Sequence, residues 1–178
     1  MIAPTNPKTP MKFDKQLFND HLRNANVANN PYDLFDTLWK AFNVYYESLF
    51  KEERGREIAR IHLSVSVLEK SDYTKFLTPE TVSPLNTIPL VFSERDWRRR
   101  STKDTSSHEV ANSALTSIRN GAVPTQHQLI AILTLMYVIR CNIAHGFKTR
   151  DDSRDIEVLS AANSIFVPFM KTLAGRVL

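Results

Sequence analysis

The residues that could do chemistry are a cation and an imidazole, close together in Arg140-Cys141-Asn142-Ile143-Ala144-His145-Gly146. Arg140 carries a permanent charge on a planar fork of N–H donors, which suits a phosphate group. The imidazole of His145 is the kind of side chain whose ordinary pKa allows proton transfer in both directions near neutral pH. The alternative is structural, because cations near the end of a helix also bond its last free carbonyl groups.

The helix that leads to these residues determines how they are placed. Five residues along a helix rotate by about 140°, so Arg140 and His145 do not share a face unless the helix unwinds near Gly146. Asn142 and His145 are three residues apart and do share a face. We therefore expect Asn142 to orient the imidazole or to bind phosphate. A two-fold contact between two such helix ends would let residues of both chains line one cleft.

The spacing Arg140-x4-His145, with Asn142 after the arginine and Gly146 after the histidine, resembles the Arg-x4-6-His motif that defines the HEPN superfamily. The specific resemblance covers 137–148, and helix order extends it loosely over 107–175. It implies an all-α bundle that forms a homodimer with a composite site. It also implies a metal-independent endoribonuclease of the toxin–antitoxin, CRISPR or anti-phage defence type, whose products end in a 2′,3′-cyclic phosphate and a 5′-OH.

The chemistry of these residues fits that activity. Cleavage of RNA without a metal needs a base for the 2′-OH proton, an acid for the leaving 5′-oxygen and a cation for the charge on the phosphorane. His145 can serve as base or acid, and Arg140 as the cation. One HEPN subgroup carries a tyrosine that a partner antitoxin adenylylates, but here that position is Phe147, which has no hydroxyl. An antitoxin or another regulatory protein acting differently remains an expected partner.

Two other functions compete with this interpretation. The first is a non-catalytic HEPN-like module that binds RNA, a nucleotide or a protein partner. The second is a cysteine hydrolase, since Cys141 and His145 are four residues apart on one helical face. The position near the negative end of a helix disfavours a reactive thiolate, so a packed side chain is the better interpretation of Cys141.

Additional cations could hold RNA. Lys148 and Arg150 follow the motif, and Trp97 precedes a run of three arginines, Arg98, Arg99 and Arg100. Phosphate contacts and base stacking would use these side chains. The alternative for 97–100 is a solvated flexible loop. The net charge of +4 is compatible with an anionic partner but is a weak indication.

Composition excludes several classes of protein. The chain of 178 residues has only 4 glycines and no phosphate-binding glycine motif. Its single cysteine and scattered histidines predict neither a disulfide nor a metal site, and we expect no cofactor. No signal peptide or uncharged apolar run of membrane-spanning length is present, which predicts a cytoplasmic protein without membrane contact.

The hydrophobic periodicity predicts an all-α bundle of about five to six helices. A flexible tail over 1–11 precedes a single domain over 12–178. A long irregular connection, 71–106, follows the third helix. Helix boundaries are indicated by Asn30-Pro31, Thr125 with Gln128, Gly121, and Asp151, Asp152 or Ser153. Pro168 is expected to kink or truncate the last helix.

Overall fold

The computed structural model describes residues 13–49, 57–86, 102–144 and 150–178, with the backbone alone over 102–108. These residues form eight α-helices and no strand, which confirms the predicted all-α fold class. The predicted tail over 1–11 lies outside them. In chain order the helices are α1 (Lys15–Asn26), α2 (Pro31–Leu49), α3 (Glu57–Ser64), α4 (Lys70–Phe76), α5 (Pro79–Asn86), α6 (Thr102–Arg119), α7 (Gln126–Ala144) and α8 (Ser153–Val177).

Two predicted helix starts are built from local side-chain bonds. α2 begins at Pro31, and the Oδ1 of Asn30 accepts a hydrogen bond of 2.8 Å from the Asp33 N–H. Before α7, the Thr125 N–H donates to Gln128 Oε1 at 2.7 Å, and the Gln128 N–H donates back to Thr125 Oγ1 at 3.3 Å. Both the N-cap and the capping box are therefore confirmed.

The end of α6 and the start of α8 are confirmed in the same way. Gly121 has a φ of +87°, a backbone conformation that residues other than glycine rarely adopt. Its N–H donates to Ile118 O, and the Ala122 N–H donates to Ser117 O, both at 3.0 Å. This pair of bonds is a Schellman motif. Asp152 caps α8 by accepting bonds from two N–H groups of its first turn.

The prediction of an irregular connection over 71–106 is wrong wherever the structure describes that interval. α4 and α5 occupy its first part, and α6 already begins at Thr102. Pro79 is the first residue of α5, where an N–H has no helical partner to lose, and Pro84 lies inside the helix. Helices of seven and eight residues are also too short to display a clear 3.6-residue period.

An aromatic layer between α2 and α8 forms the centre of the core. Phe35, Trp39 and Phe42 of α2 contact Phe166 of α8, with ring centroids 5.2, 5.8 and 6.2 Å apart. Phe169, one turn further along α8, contacts Phe42 at 5.3 Å. The broad aromatic face of α2 is therefore core, as its helical spacing predicts.

α8 continues through Pro168, so this residue does not truncate the helix. Phe166, Phe169 and Met170, on both sides of the proline, are buried. Burial of three large apolar side chains offsets the cost of about 3 kcal/mol for a proline inside a helix.

α7 is the element that carries the candidate site. Its apolar side chains are buried on more than one face, and α3 and α6 pack against it. By length and composition, α7 and α8 both meet the criteria for a helix that could cross a membrane, which is weak evidence on its own. Core helices of soluble bundles meet the same criteria, and 50% and 56% of the two apolar windows are buried.

Candidate functional site

The last turn of α7 holds two of the three residues that the sequence predicts as catalytic. α7 ends at Ala144, so Arg140 and Asn142 are helical, and His145 lies outside the described residues. Arg140 is half-buried, and Asn142 is buried with 1% of its surface exposed. Two residues along a helix rotate by about 200°, so these two side chains leave α7 on nearly opposite sides.

The amide of Asn142 is an unusual group to bury. Its Oδ1 is inaccessible to solvent and accepts no hydrogen bond in the part of the chain that the structure describes. A buried acceptor without a donor costs about 1 to 3 kcal/mol. A leucine or alanine would avoid this cost in a helix that is otherwise apolar. A donor that reached this amide would remove the cost.

Two phenols and a carboxylate surround the Arg140 end of α7. The Tyr46 hydroxyl, in the last turn of α2, donates a hydrogen bond to Glu57 Oε1 at the start of α3. Burial raises the pKa of Tyr46, as does Glu57, while the positive charge of Arg140 acts in the opposite direction. Burial also raises the pKa of Tyr137, again opposed by Arg140. Both phenols are therefore neutral at pH 7, and the charge of Arg140 reaches both.

A second interaction, this one an ion pair, lies next to the Tyr46–Glu57 hydrogen bond at the junction of α2 and α3. The Arg60 guanidinium is buried and bonds the carboxylate of Glu47. Glu47 follows Tyr46 in the sequence, and Arg60 lies one turn after Glu57. The two pairs together fix the end of α2 against the start of α3, beside the last turn of α7.

Arg140 differs from most other described arginines because no carboxylate among the described residues lies within ion-pairing distance of its guanidinium. Arg23, Arg60, Arg150 and Arg176 each have a carboxylate within 4.0 Å. No such partner for Arg140 occurs among the described residues. A half-buried guanidinium that keeps its charge is a suitable group for binding an anion.

Cys141 lies beside Tyr137, and the thiol contributes to raising the pKa of that phenol after the larger effect of burial. The thiol is half-buried and free of any disulfide. The cysteine-hydrolase alternative needs His145 as its base, and that residue lies outside the described chain. Nothing around Cys141 among the described residues adds a second catalytic group to it.

Arg150, a predicted RNA-binding residue, is engaged elsewhere. Its Nη2 lies 2.6 Å from Asp33 Oδ1, and its guanidinium carbon lies 5.4 Å from the centre of the Tyr32 ring. Both partners belong to the first turn of α2, whereas Arg140 acts on Tyr46 in the last turn. Arg150 and Arg140 therefore act at opposite ends of α2.

The remaining predicted RNA-binding residues, Lys148, Trp97, Arg98, Arg99 and Arg100, lie outside the described part of the chain. No group of three potential metal ligands occurs among the residues that the structure describes.

The sequence interpretation missed Tyr46 and Glu57. The helical spacing of Tyr46 in α2 is that of a core residue, and Tyr46 is indeed buried, but its hydroxyl belongs to the polar cluster. Local spacing does not indicate a role for Glu57, because its partner Tyr46 lies on another helix.

No family model, curated protein or solved structure matches the chain.

Proposed function

We propose that the chain is a metal-independent endoribonuclease that cleaves RNA at Arg140 and His145. The observation that carries the proposal is the half-buried guanidinium of Arg140, which has no carboxylate partner within the described residues. An anion bound there would replace the missing countercharge, and a phosphate fits the planar fork of donors. The spacing Arg140-x4-His145 supplies an imidazole for proton transfer.

In the proposed reaction, the imidazole of His145 removes the proton of a 2′-OH, and the 2′-oxygen attacks the adjacent phosphorus. The bond between phosphorus and the 5′-oxygen breaks, and this oxygen takes a proton from an imidazolium, either the same one or the partner subunit's His145. Arg140 stabilises the negative charge of the phosphorane. The products end in a 2′,3′-cyclic phosphate and a 5′-OH, and the proposed steps use no metal or cofactor.

The structure favours one of the two roles considered for Asn142. A phosphodiester carries only acceptor oxygens, so it has no donor to offer the buried Oδ1 of Asn142. An imidazole N–H is a donor. We therefore assign Asn142 to orienting the imidazole, in its own chain or in the partner subunit, as a positioning residue.

We further propose that the active species is a homodimer in which residues of both chains line one cleft. A helical spacing of five residues would separate Arg140 from His145 within a single chain, and a two-fold contact would bring them together. We place the protein in the cytoplasm, as a toxin or anti-phage effector that an antitoxin or another regulatory protein restrains. Cytoplasmic RNA would be the substrate.

A nuclease assay with matched variants tests the site. The purified chain is incubated with 5′-labelled single-stranded RNA in EDTA, and the product ends are analysed for cyclic phosphate. We expect Arg140→Ala and His145→Ala to lower the cleavage rate by about a hundredfold or more. Arg119→Ala is the control, because Arg119 is an exposed cation in the last turn of α6. It should cleave at the wild-type rate.

The same assay separates the alternatives. Cleavage that persists in both site variants would come from another nuclease and would overturn the assignment. Absence of cleavage by the wild type, combined with RNA binding that Arg140→Ala abolishes, would favour the non-catalytic module. Loss of activity in Cys141→Ala alone would favour the cysteine hydrolase.

A further inference from the structure

A cavity lies on the side of α7, away from the Arg140 turn. It has a volume of about 310 Å³ and is bounded by α3, α6 and the first half of α7. Aliphatic side chains make up most of its wall, among them Ile58, Val110 and Ile130. Its polar groups are His62, His127 and Thr134. A mostly apolar wall with a few converging polar groups is the usual composition of a small-molecule site.

The hydrogen bonds in this cavity fix the tautomer of one imidazole. The Thr134 hydroxyl donates its only hydrogen to Ile130 O at 2.8 Å. His62 Nε2 lies 3.3 Å from the same Thr134 oxygen, so the imidazole must be the donor of that bond. In the neutral ring, Nδ1 then carries the lone pair. No hydrogen bond to Nδ1 occurs among the described residues.

The charge of the cavity restricts the ligands it could take. Burial lowers the pKa of His62, so its ring is neutral at pH 7. The other titratable group on the wall is His127 of α7, while α6 contributes Val110 and α3 contributes Ile58. No lysine, arginine or carboxylate belongs to the described wall. The described wall would therefore offer no permanent countercharge to a phosphate or a nucleotide.

We propose that this cavity binds a small, uncharged and mostly apolar molecule that carries one hydroxyl or N–H donor. The donor bonds Nδ1 of His62, and the apolar body lies against the aliphatic side chains of α3, α6 and α7. A phenol has this combination of properties. The proposal is independent of the nuclease site, since it uses neither Arg140 nor His145.

Three probes of similar size test the ligand class by NMR titration of the ¹⁵N-labelled chain. Phenol offers a ring and a donor, toluene the ring alone, and benzoate the ring with a negative charge. We expect phenol to bind saturably and to shift the amide signals of Val110 and Thr134. Toluene should bind about threefold to tenfold more weakly, because it lacks one hydrogen bond. Benzoate should bind more weakly than phenol.

Two variants test the location. Val110 is 55% exposed, so Val110→Trp should fold normally while its larger side chain fills the cavity and abolishes phenol binding. His62→Leu should reduce the affinity for phenol to that for toluene and leave toluene unchanged. The proposal is overturned if phenol does not bind saturably, if toluene or benzoate binds as tightly as phenol, or if Val110→Trp binds phenol like the wild type. Both variants should keep the nuclease activity.

Discussion

The Tyr46 hydroxyl donates a hydrogen bond to the Glu57 carboxylate and so joins the last turn of α2 to the first turn of α3. The charge of Arg140 acts on this phenol from the last turn of α7. Two consecutive helices, α2 and α3, therefore meet the distant α7 at one polar cluster. The Glu57 carboxylate accepts the Tyr46 hydrogen bond, and it acts on the same phenols as the Arg140 guanidinium.

Removing the Tyr46 hydroxyl should destabilise this junction. Tyr46→Phe leaves the Glu57 carboxylate without its buried donor, and we expect the free energy of unfolding to fall by about 1.5 to 3 kcal/mol. Urea denaturation measures the change. Tyr45→Phe is the matched control, because the Tyr45 hydroxyl makes only a long bond of 3.4 Å, to Ser64 O. Equal losses in the two variants would contradict a special role for the Tyr46–Glu57 bond.

Replacing Asn142 should lower RNA cleavage without lowering the stability of the fold. Asn142→Leu removes a buried acceptor that has no donor among the described residues, so the variant should be as stable as the wild type or more stable. RNA cleavage should fall by at least about tenfold, because the imidazole loses its positioning group.

Asn163 provides the control for this experiment. Its Oδ1 is also buried without a donor, but its Nδ2 donates to Pro31 O at 2.9 Å. Asn163→Leu should therefore lower the melting temperature and leave cleavage by the folded protein intact. A destabilised Asn142→Leu with normal cleavage would show that Asn142 is structural.

Asp72 should make stability depend on pH. This buried carboxylate accepts a hydrogen bond of 2.9 Å from Arg176 Nη2 and thereby ties α4 to the end of α8. The bond from Arg176 lowers the pKa of Asp72 in the folded chain below its value in the unfolded chain. The contribution of the ionised Asp72 to stability is thus complete at neutral pH, and it is lost as the pH falls through the pKa of Asp72 in the folded chain.

Thermal unfolding of the wild type and of Asp72→Asn from pH 7 down to pH 2 checks this sign. We expect the wild type to melt at a higher temperature at pH 7, and the difference to shrink toward zero at the acidic end. Asp20→Asn is the control, because its ion pair with Arg23 is exposed and contributes little. A difference that stayed constant down to pH 2 would contradict the proposed linkage.

A composite active site should allow two inactive variants to complement each other. If Arg140 of one chain works with the partner subunit's His145, a mixed dimer of Arg140→Ala and His145→Ala contains one intact site. After subunit exchange, roughly a quarter of the wild-type cleavage should return, since half of the dimers are mixed and each has one site of two. Light scattering should show twice the chain mass of 20.4 kDa. A stable monomer would exclude the composite cleft, and no recovery after verified exchange would exclude a site built from Arg140 of one chain and a single His145 of the partner subunit.

The sequence predicted the parts of the fold that depend on neighbouring residues. The N-cap at Asn30, the capping box at Thr125 and the Schellman turn at Gly121 each involve groups within a few positions of one another. α4 and α5 were missed because such short helices depend on tertiary packing more than on their own periodicity. α5 also begins with Thr78 and Thr81 bonding each other's N–H groups, a variant of the capping box without an acid or amide.

The same distinction between local spacing and tertiary packing applies to the candidate site. The position of Arg140 and Asn142 at the end of an apolar helix follows from periodicity, and the structure places both in the last turn of α7. The burial of Asn142 depends on which face of that turn meets the other helices, and the Tyr46–Glu57 bond depends on how α2 packs against α3. Neither is encoded by local spacing.

The enclosure of α7 has a consequence for control of the protein. A helix with side chains buried on several faces cannot rotate or slide without disturbing the packing around it. A regulator would then gain little by trying to shift Arg140. We expect a regulator to bind over the end of α7 and to compete with the proposed RNA substrate. A sufficient concentration of substrate should then overcome the inhibition.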